Sequence, residues 1–178
     1  MNLQELNLAI IAWADDRQIL THSTAYAQVF KTAEETAELI AAIAKHSTGD
    51  VPGHNDYSDE MMDAIGDIYV TLIVGLSCYE DGGKFEASSS APSLVIMDLA
   101  QPKYLCGALT ELVREATKGK GAPKDSYIDA VNWFINVLDH FAVGFNSSLE
   151  SCVNHAYDQI KDRKGYLTAE GIFVKEEV

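Results

Sequence analysis

The chain has 178 residues, with 27 acidic against 13 basic side chains and a formal net charge of −14. Such a charge argues against nucleic acid or an anionic membrane surface as a partner, and the length suits a single domain built on one core. No basic leader precedes an apolar segment, and no apolar run reaches the roughly eighteen residues that a bilayer span needs, so the reading is a soluble, cytoplasmic protein.

Residues 2–20 read as an amphipathic helix. Leu6, Ile10, Trp13 and Arg17 lie close to one stripe, with Leu3 and Ala14 beside it. Ser23 or Thr24 suits the N-cap of a second helix that starts near Ala25 and ends near His46, where Ser47-Thr48-Gly49 break it. In that helix Gln28 and Lys31 stand two turns and one turn before Glu35. Glu34, Glu35 and Glu38 crowd one side, next to an apolar stripe of Leu39, Ile40 and Ile43.

The following loop, 48–58, contains Asp50, Asn55 and Asp56 but lacks the residue order of an EF-hand. Ser58 then suits the N-cap of a third helix, with Asp59 and Glu60 favourable in its first turn. Glu60, Asp63 and Asp67 follow at i, i+3 and i+7, with Ile65, Ile68, Leu72 and Ile73 on the neighbouring surface. Acidic faces on two helices are often only solvated surfaces. Two features favour a site instead. Asp63 and Asp67 are poor helix formers placed mid-helix, and Asp67 directly precedes the almost wholly apolar run Ile68–Leu76, where an ionised carboxylate is costly unless paired or metal-bound. An oxygen-only donor set of this kind suits a hard cation, Mg²⁺ or Mn²⁺.

Residues 79–93, rich in Gly and Ser, read as a linker. Two more helices follow, 102–118 and 126–145, separated by Gly119-Lys120-Gly121-Ala122-Pro123. Aligned on the first pair, Glu38-Leu39-Ile40 meets Glu111-Leu112-Val113, and Asp63-Ala64-Ile65 meets Asp129-Ala130-Val131. Glu35 then falls on Ala108 and Asp67 on Trp133. The second pair is either a degenerate internal repeat that has lost its acids or another amphipathic pair with the usual likeness. A last helix, 148–164, carries Asn154, Asp158, Lys161, Arg163 and Lys164, with Gly165 as its cap and a strand-like tail at Gly171–Val174. Its basic residues are natural partners of phosphates, and they equally complement a helix dipole with no ligand at all. Cys78, Cys106 and Cys152 are isolated in apolar helical patterns and read as small hydrophobes.

The pattern Glu34-Glu35-x-x-Glu38, a loop, then Asp63-Ala64-Ile65-Gly66-Asp67 and an apolar run resembles the MazG-like, all-α NTP pyrophosphatase superfamily, its phage-type members best. The early Trp13…Arg17…Gln28…Lys31 arrangement and the run from Asn154 to Gly165 resemble the same proteins, so the likeness covers residues 6–76 and 148–175. It implies an all-α, four-helix-bundle-like fold with additional helices and a short C-terminal β-hairpin-like tail. It implies Mg²⁺-dependent (Mn²⁺ as substitute) cleavage of a nucleoside triphosphate between its α- and β-phosphates, giving a monophosphate and pyrophosphate, by a protein that forms a homodimer. The implied metal ligands are Glu35, Glu38, Asp63 and Asp67, with Glu34 as proton acceptor. Trp13, Arg17, Gln28, Lys31, Asn154, Asp158, Lys161, Arg163 and Lys164 would then bind the substrate. There is one departure. The family's ExxD motif would need Glu at position 64, where this chain has Ala64. A non-catalytic helical module that binds a nucleotide or a protein is the alternative. A P-loop, a G-x-S-x-G elbow and the Glu-x-x-His pairs of a di-iron bundle are all absent from the sequence.

Overall fold

A computed structural model describes residues 1–48, 56–79, 100–118, 124–168 and 173–176. The expected linker 79–93 beyond Tyr79, most of the loop 48–58 and the 119–123 breaker lie outside the described residues. The fold is all-α: α1 (Leu3–Asp16), α2 (Ile19–His22), α3 (Ala25–Thr48), α4 (Asp56–Tyr79), α5 (Pro102–Thr117), α6 (Lys124–Gly144) and α7 (Leu149–Ile160), followed by β1 (Gly165–Leu167) and β2 (Phe173–Lys175). The two strands pair antiparallel, with Tyr166 opposite Val174, so the expected tail is the second strand of a small hairpin.

Local chemistry sets the helix ends. Asn2 caps α1 in a reciprocal box: its side chain accepts from the Glu5 amide while the Glu5 carboxylate accepts from the Asn2 amide, both at 2.9 Å. The single helix expected over 2–20 is instead two. Gln18 takes a left-handed conformation, φ 58°, and its amide bonds back to the Asp15 carbonyl, which ends α1 by an αL-type cap. Of the two candidate caps for α3, Thr24 does the work, accepting from the Ala27 amide at 3.0 Å. Helix α4 starts at Asp56, so Ser58 lies inside its first turn and is not the cap expected. Ser148 caps α7, accepting from the Ser151 amide. That helix ends at Ile160, four residues before the expected end, and Gly165 opens β1 and does not serve as its cap.

Helices α3 to α6 form a four-helix arrangement: α3 packs on α4 and α5, while α6 packs on α5 and α4. Helix α7 lies along α4, and α1 lies across both. The core runs through all of them, with Leu39, Ile65, Ile68, Leu72 and Leu76 meeting Leu105, Leu112, Phe134 and Leu138 in one apolar cluster. Matched positions of the two helix pairs share burial: Leu39 with Leu112, Ala64 with Ala130, Ile65 with Val131. Either a duplicated or an unrelated pair must bury those faces to pack. Inside the cluster the Tyr69 hydroxyl donates to Asn7 Oδ1 at 2.8 Å, tying α4 to α1.

One reading of run lengths is corrected. Asp59–Tyr79 is long and apolar enough to cross a bilayer by length and composition, with a mean hydropathy of 1.5. Because 72% of that window is buried against the other helices, its hydropathy is that of a central core helix.

Candidate functional site

Helices α3 and α4 pack along their length, and their acidic stripes meet at one edge of the contact. Leu39 and Thr36 face α4 from within the bundle, which turns Glu35 and Glu38 to the rim. On α4, Ala64, Ile65 and Ile68 enter the core, and Asp63 and Asp67 come out beside it. Ala64, at 5% exposure, belongs to the apolar cluster. The position where the family pattern would want Glu is therefore a packing position in this chain, and Asp63 with Asp67 forms the acidic edge.

The four expected ligands feel one another. Burial raises the Glu35 carboxyl to about 7, with Asp67 and then Glu38 adding to the effect while Lys31 opposes it. Burial also raises Asp67 to about 6, with Asp63 and Glu38 adding to it while Arg163 and His155 oppose it. Repelling carboxylates at a partly desolvated edge are what a divalent ion relieves, and the donors are all oxygen, so the residues present fit a hard cation. Among the described residues no three Asp, Glu, His or Cys groups converge closely enough to grip an ion. The four are a shared electrostatic site without the geometry of a closed cage.

The other expected residues divide into two groups. Lys31 bridges Glu34 and Glu35, its Nζ 4.0 Å from Glu35 Oε1, at the exposed edge of the acids. Glu60 pairs with Lys45 at 3.2 Å and stands outside the set. Arg163 is near enough to oppose the raised pKa of Asp67. With Arg17, Lys164, Asp16, Gly165 and Glu176 it lines an open cleft of about 360 Å³. The structure thus brings Lys31 and Arg163 to the acids and puts Arg17 and Lys164 in a cleft that shares Arg163.

The remaining residues are engaged within the fold. The Trp13 indole N–H donates to the Ile160 carbonyl at 2.8 Å. The Arg17 guanidinium donates to the carbonyls of Trp13, Lys161 and Arg163, at 2.8 Å for the shortest bond to Arg163, and its Cζ stands 4.9 Å from the centre of the Trp13 ring. Together these two residues hold the C-terminal end of α7, whose last carbonyls have no partners within the helix. Asn154 donates to the carbonyls of Met1 and Glu150 and accepts from the Met1 amine, so it pins the N-terminus. Asp158 and Lys161 form an exposed pair at 2.7 Å. Gln28 donates to Ser23 Oγ at 3.0 Å, close to Gly75 in the bundle.

Two polar residues at the site are absent from the sequence reading. The Gln159 side-chain amide donates to Asp63 Oδ1 at 2.8 Å, and His155 Nε2 lies 3.8 Å from the same oxygen. His155, Gln159 and Arg163 recur every four residues, the one signal in the sequence that could have found them.

No family model matches the chain, and no solved structure matches it. It is similar to an uncharacterized 18.2 kDa protein in the rep-hol intergenic region of Haemophilus phage HP1 (strain HP1c1), 33% identical over 73 residues, or 41% of this chain and 39% of the phage protein. The likeness thus spans about two fifths of that relative, whose name carries no activity.

Proposed function

We propose that the chain is a Mg²⁺-dependent nucleoside triphosphate pyrophosphohydrolase of the MazG-like, all-α kind, releasing a nucleoside monophosphate and pyrophosphate. The observation that carries this reading is the coupled acid set across α3 and α4, with Glu35 raised to about 7 and Asp67 to about 6, beside the cation Arg163. An excess of partly buried negative charge next to a guanidinium is the arrangement that a metal-bound polyphosphate would neutralise from both sides.

Glu35, Glu38, Asp63 and Asp67 would hold the ion. When bound, it supplies charge neutralisation at phosphate oxygens and a more acidic water. Arg163 and Lys164, lining the cleft, meet the outer phosphates and orient the chain for in-line attack. Water adds to a phosphorus at the α–β bridge as the bridging P–O bond breaks. The water's proton passes to a carboxylate at the edge of the set, which in this proposal is Glu34, exposed and held by Lys31. Trp13 and Arg17 act at one remove, by fixing the end of α7 and the segment just past it that carries Arg163 and Lys164. A cytoplasmic location, where such triphosphates are made and used, and a homodimer belong to the same proposal.

The second reading, a non-catalytic binding module, draws support from Ala64 in the core and from the exposed edge-to-face pair of Tyr26 and Phe30, ring centres 5.1 Å apart. Hydrolysis of a panel of NTPs and dNTPs with Mg²⁺ or Mn²⁺, products resolved by chromatography, separates the two. The enzyme reading expects monophosphate and pyrophosphate, abolished by Glu38→Ala. Diphosphate with orthophosphate overturns the bond assignment, and absence of turnover leaves the binding module.

A further inference from the structure

We propose that Gln159 is a positioning residue for the acid site, holding Asp63 in place from a third helix; the inference rests on the metal-site reading above. Helix α7 reaches α4 at a point where α4 has almost no side chain. A Cβ built on Gly66 would fall 2.3 Å from the Cys152 carbonyl oxygen and 2.6 Å from Ala156 Cβ. This close approach lays one stripe of α7 along the acidic edge of α4. His155 and Gln159 stand at Asp63, and Arg163, just past the end of the helix, lies toward Asp67.

The chemistry of the Gln159 contact has a direction. An ionised carboxylate only accepts, so the side-chain amide must turn its NH₂ to Asp63 Oδ1, 2.8 Å away. The same nitrogen lies 3.0 Å from His155 Nε2. The amide nitrogen thus sits between the Asp63 carboxylate and the His155 ring, within hydrogen-bond distance of both. His155 thereby fixes the amide, and the amide fixes Asp63. A carboxylate that must serve a metal is in this way oriented by a neutral donor that adds no competing positive charge. Outer partners of this kind set the aim and basicity of a metal ligand.

The test uses the full chain and Mn²⁺ alone, with free Mn²⁺ followed by electron paramagnetic resonance. Wild type, Gln159→Ala, Asp63→Asn and the double variant are compared, each first checked by its thermal unfolding curve. Gln159 is exposed, so its loss leaves the core packing intact. Gln159→Ala is expected to weaken Mn²⁺ binding about tenfold, and to change it less than about twofold in the Asp63→Asn background, because the amide acts through that carboxylate. An equal loss in both backgrounds overturns the proposal, as does wild-type affinity in Gln159→Ala; the metal-site reading survives either result. If wild type itself fails to bind Mn²⁺, both fall together.

Discussion

Gly66 sits directly beneath the backbone of Cys152, with no room between α4 and α7 for a methyl group. Gly66→Ala is therefore expected to push the two helices apart. A small-to-large change in a tight contact costs about 1–3 kcal/mol, here against backbone, which cannot turn aside as a side chain can. A lowered Tm checks the stability effect. Because the same contact brings Gln159 to Asp63, the variant should also bind Mn²⁺ more weakly than its loss of stability alone accounts for. A variant as stable as wild type would show that α7 is not held by this contact.

The acid site predicts an inverted pH dependence for the metal-free protein. Glu35 is raised to about 7 and Asp67 to about 6 in the fold, while both ionise near 4 in an unfolded chain. The folded state thus holds protons that the unfolded state gives up. This contribution is fully present below about pH 4 and is lost as pH rises through 6 and 7. After discounting for solvent at the rim, it is on the order of 1–2 kcal/mol. With a chelator present, Tm should fall between pH 5 and pH 8, and Glu35→Gln should flatten that slope. A slope unchanged by Glu35→Gln would trace it to the overall negative charge. Added Mg²⁺ should raise Tm more at pH 8 than at pH 5.5.

Periodicity explains which parts of this site could be read beforehand. Glu35, Glu38, Asp63 and Asp67 each lie beside an apolar stripe that had to be buried, and a helix fixes the angle between its stripe and its acids. Their meeting along the α3–α4 contact follows from those angles. Gln159 and His155 share a four-residue spacing with Arg163, but that spacing does not say which helix they meet, because their place depends on which face of α7 meets Gly66, a long-range contact. Trp13 and Arg17, substrate contacts by the resemblance, make their hydrogen bonds in the structure to the end of α7. An aromatic ring and a guanidinium serve carbonyls and phosphates equally well, and only the position of α7 tells the two uses apart. The break at Gln18 escaped for a related reason: a left-handed Gln has no compositional mark as Gly would.

Tyr69 and Asn7 offer a test of the packing between α1 and α4 away from the site. The phenol donates to Asn7 Oδ1 at 2.8 Å, and both residues are nearly shut off from water, at 2% and 4% exposure. Tyr69→Phe keeps the ring and strands the amide oxygen. A buried acceptor left without its partner costs about 1–3 kcal/mol. Chemical denaturation should report that loss as a shifted midpoint with unchanged slope, while Mn²⁺ affinity stays at the wild-type value. Unchanged stability would mean that water reaches Asn7 once the hydroxyl is gone.

Arg17 separates the structural from the substrate reading of the N-terminal helix. Its guanidinium makes four hydrogen bonds to three carbonyls, two of them just past the end of α7 at Lys161 and Arg163. Lys keeps the charge but cannot span these acceptors with a planar fork. Arg17→Lys is therefore expected to cost about 1–2 kcal/mol, since bonds to a charged donor are worth more than neutral ones but these are partly open to solvent. Amide hydrogen exchange should quicken at the C-terminal turn of α7 and leave α3 unchanged. Under the proposed reaction the variant should raise KM for the triphosphate through the displaced Arg163 and Lys164, leaving Mn²⁺ affinity nearly intact. A raised KM with α7 exchange unaltered would instead make Arg17 a direct phosphate contact, its guanidinium turned from the carbonyls toward the cleft it shares with Lys164.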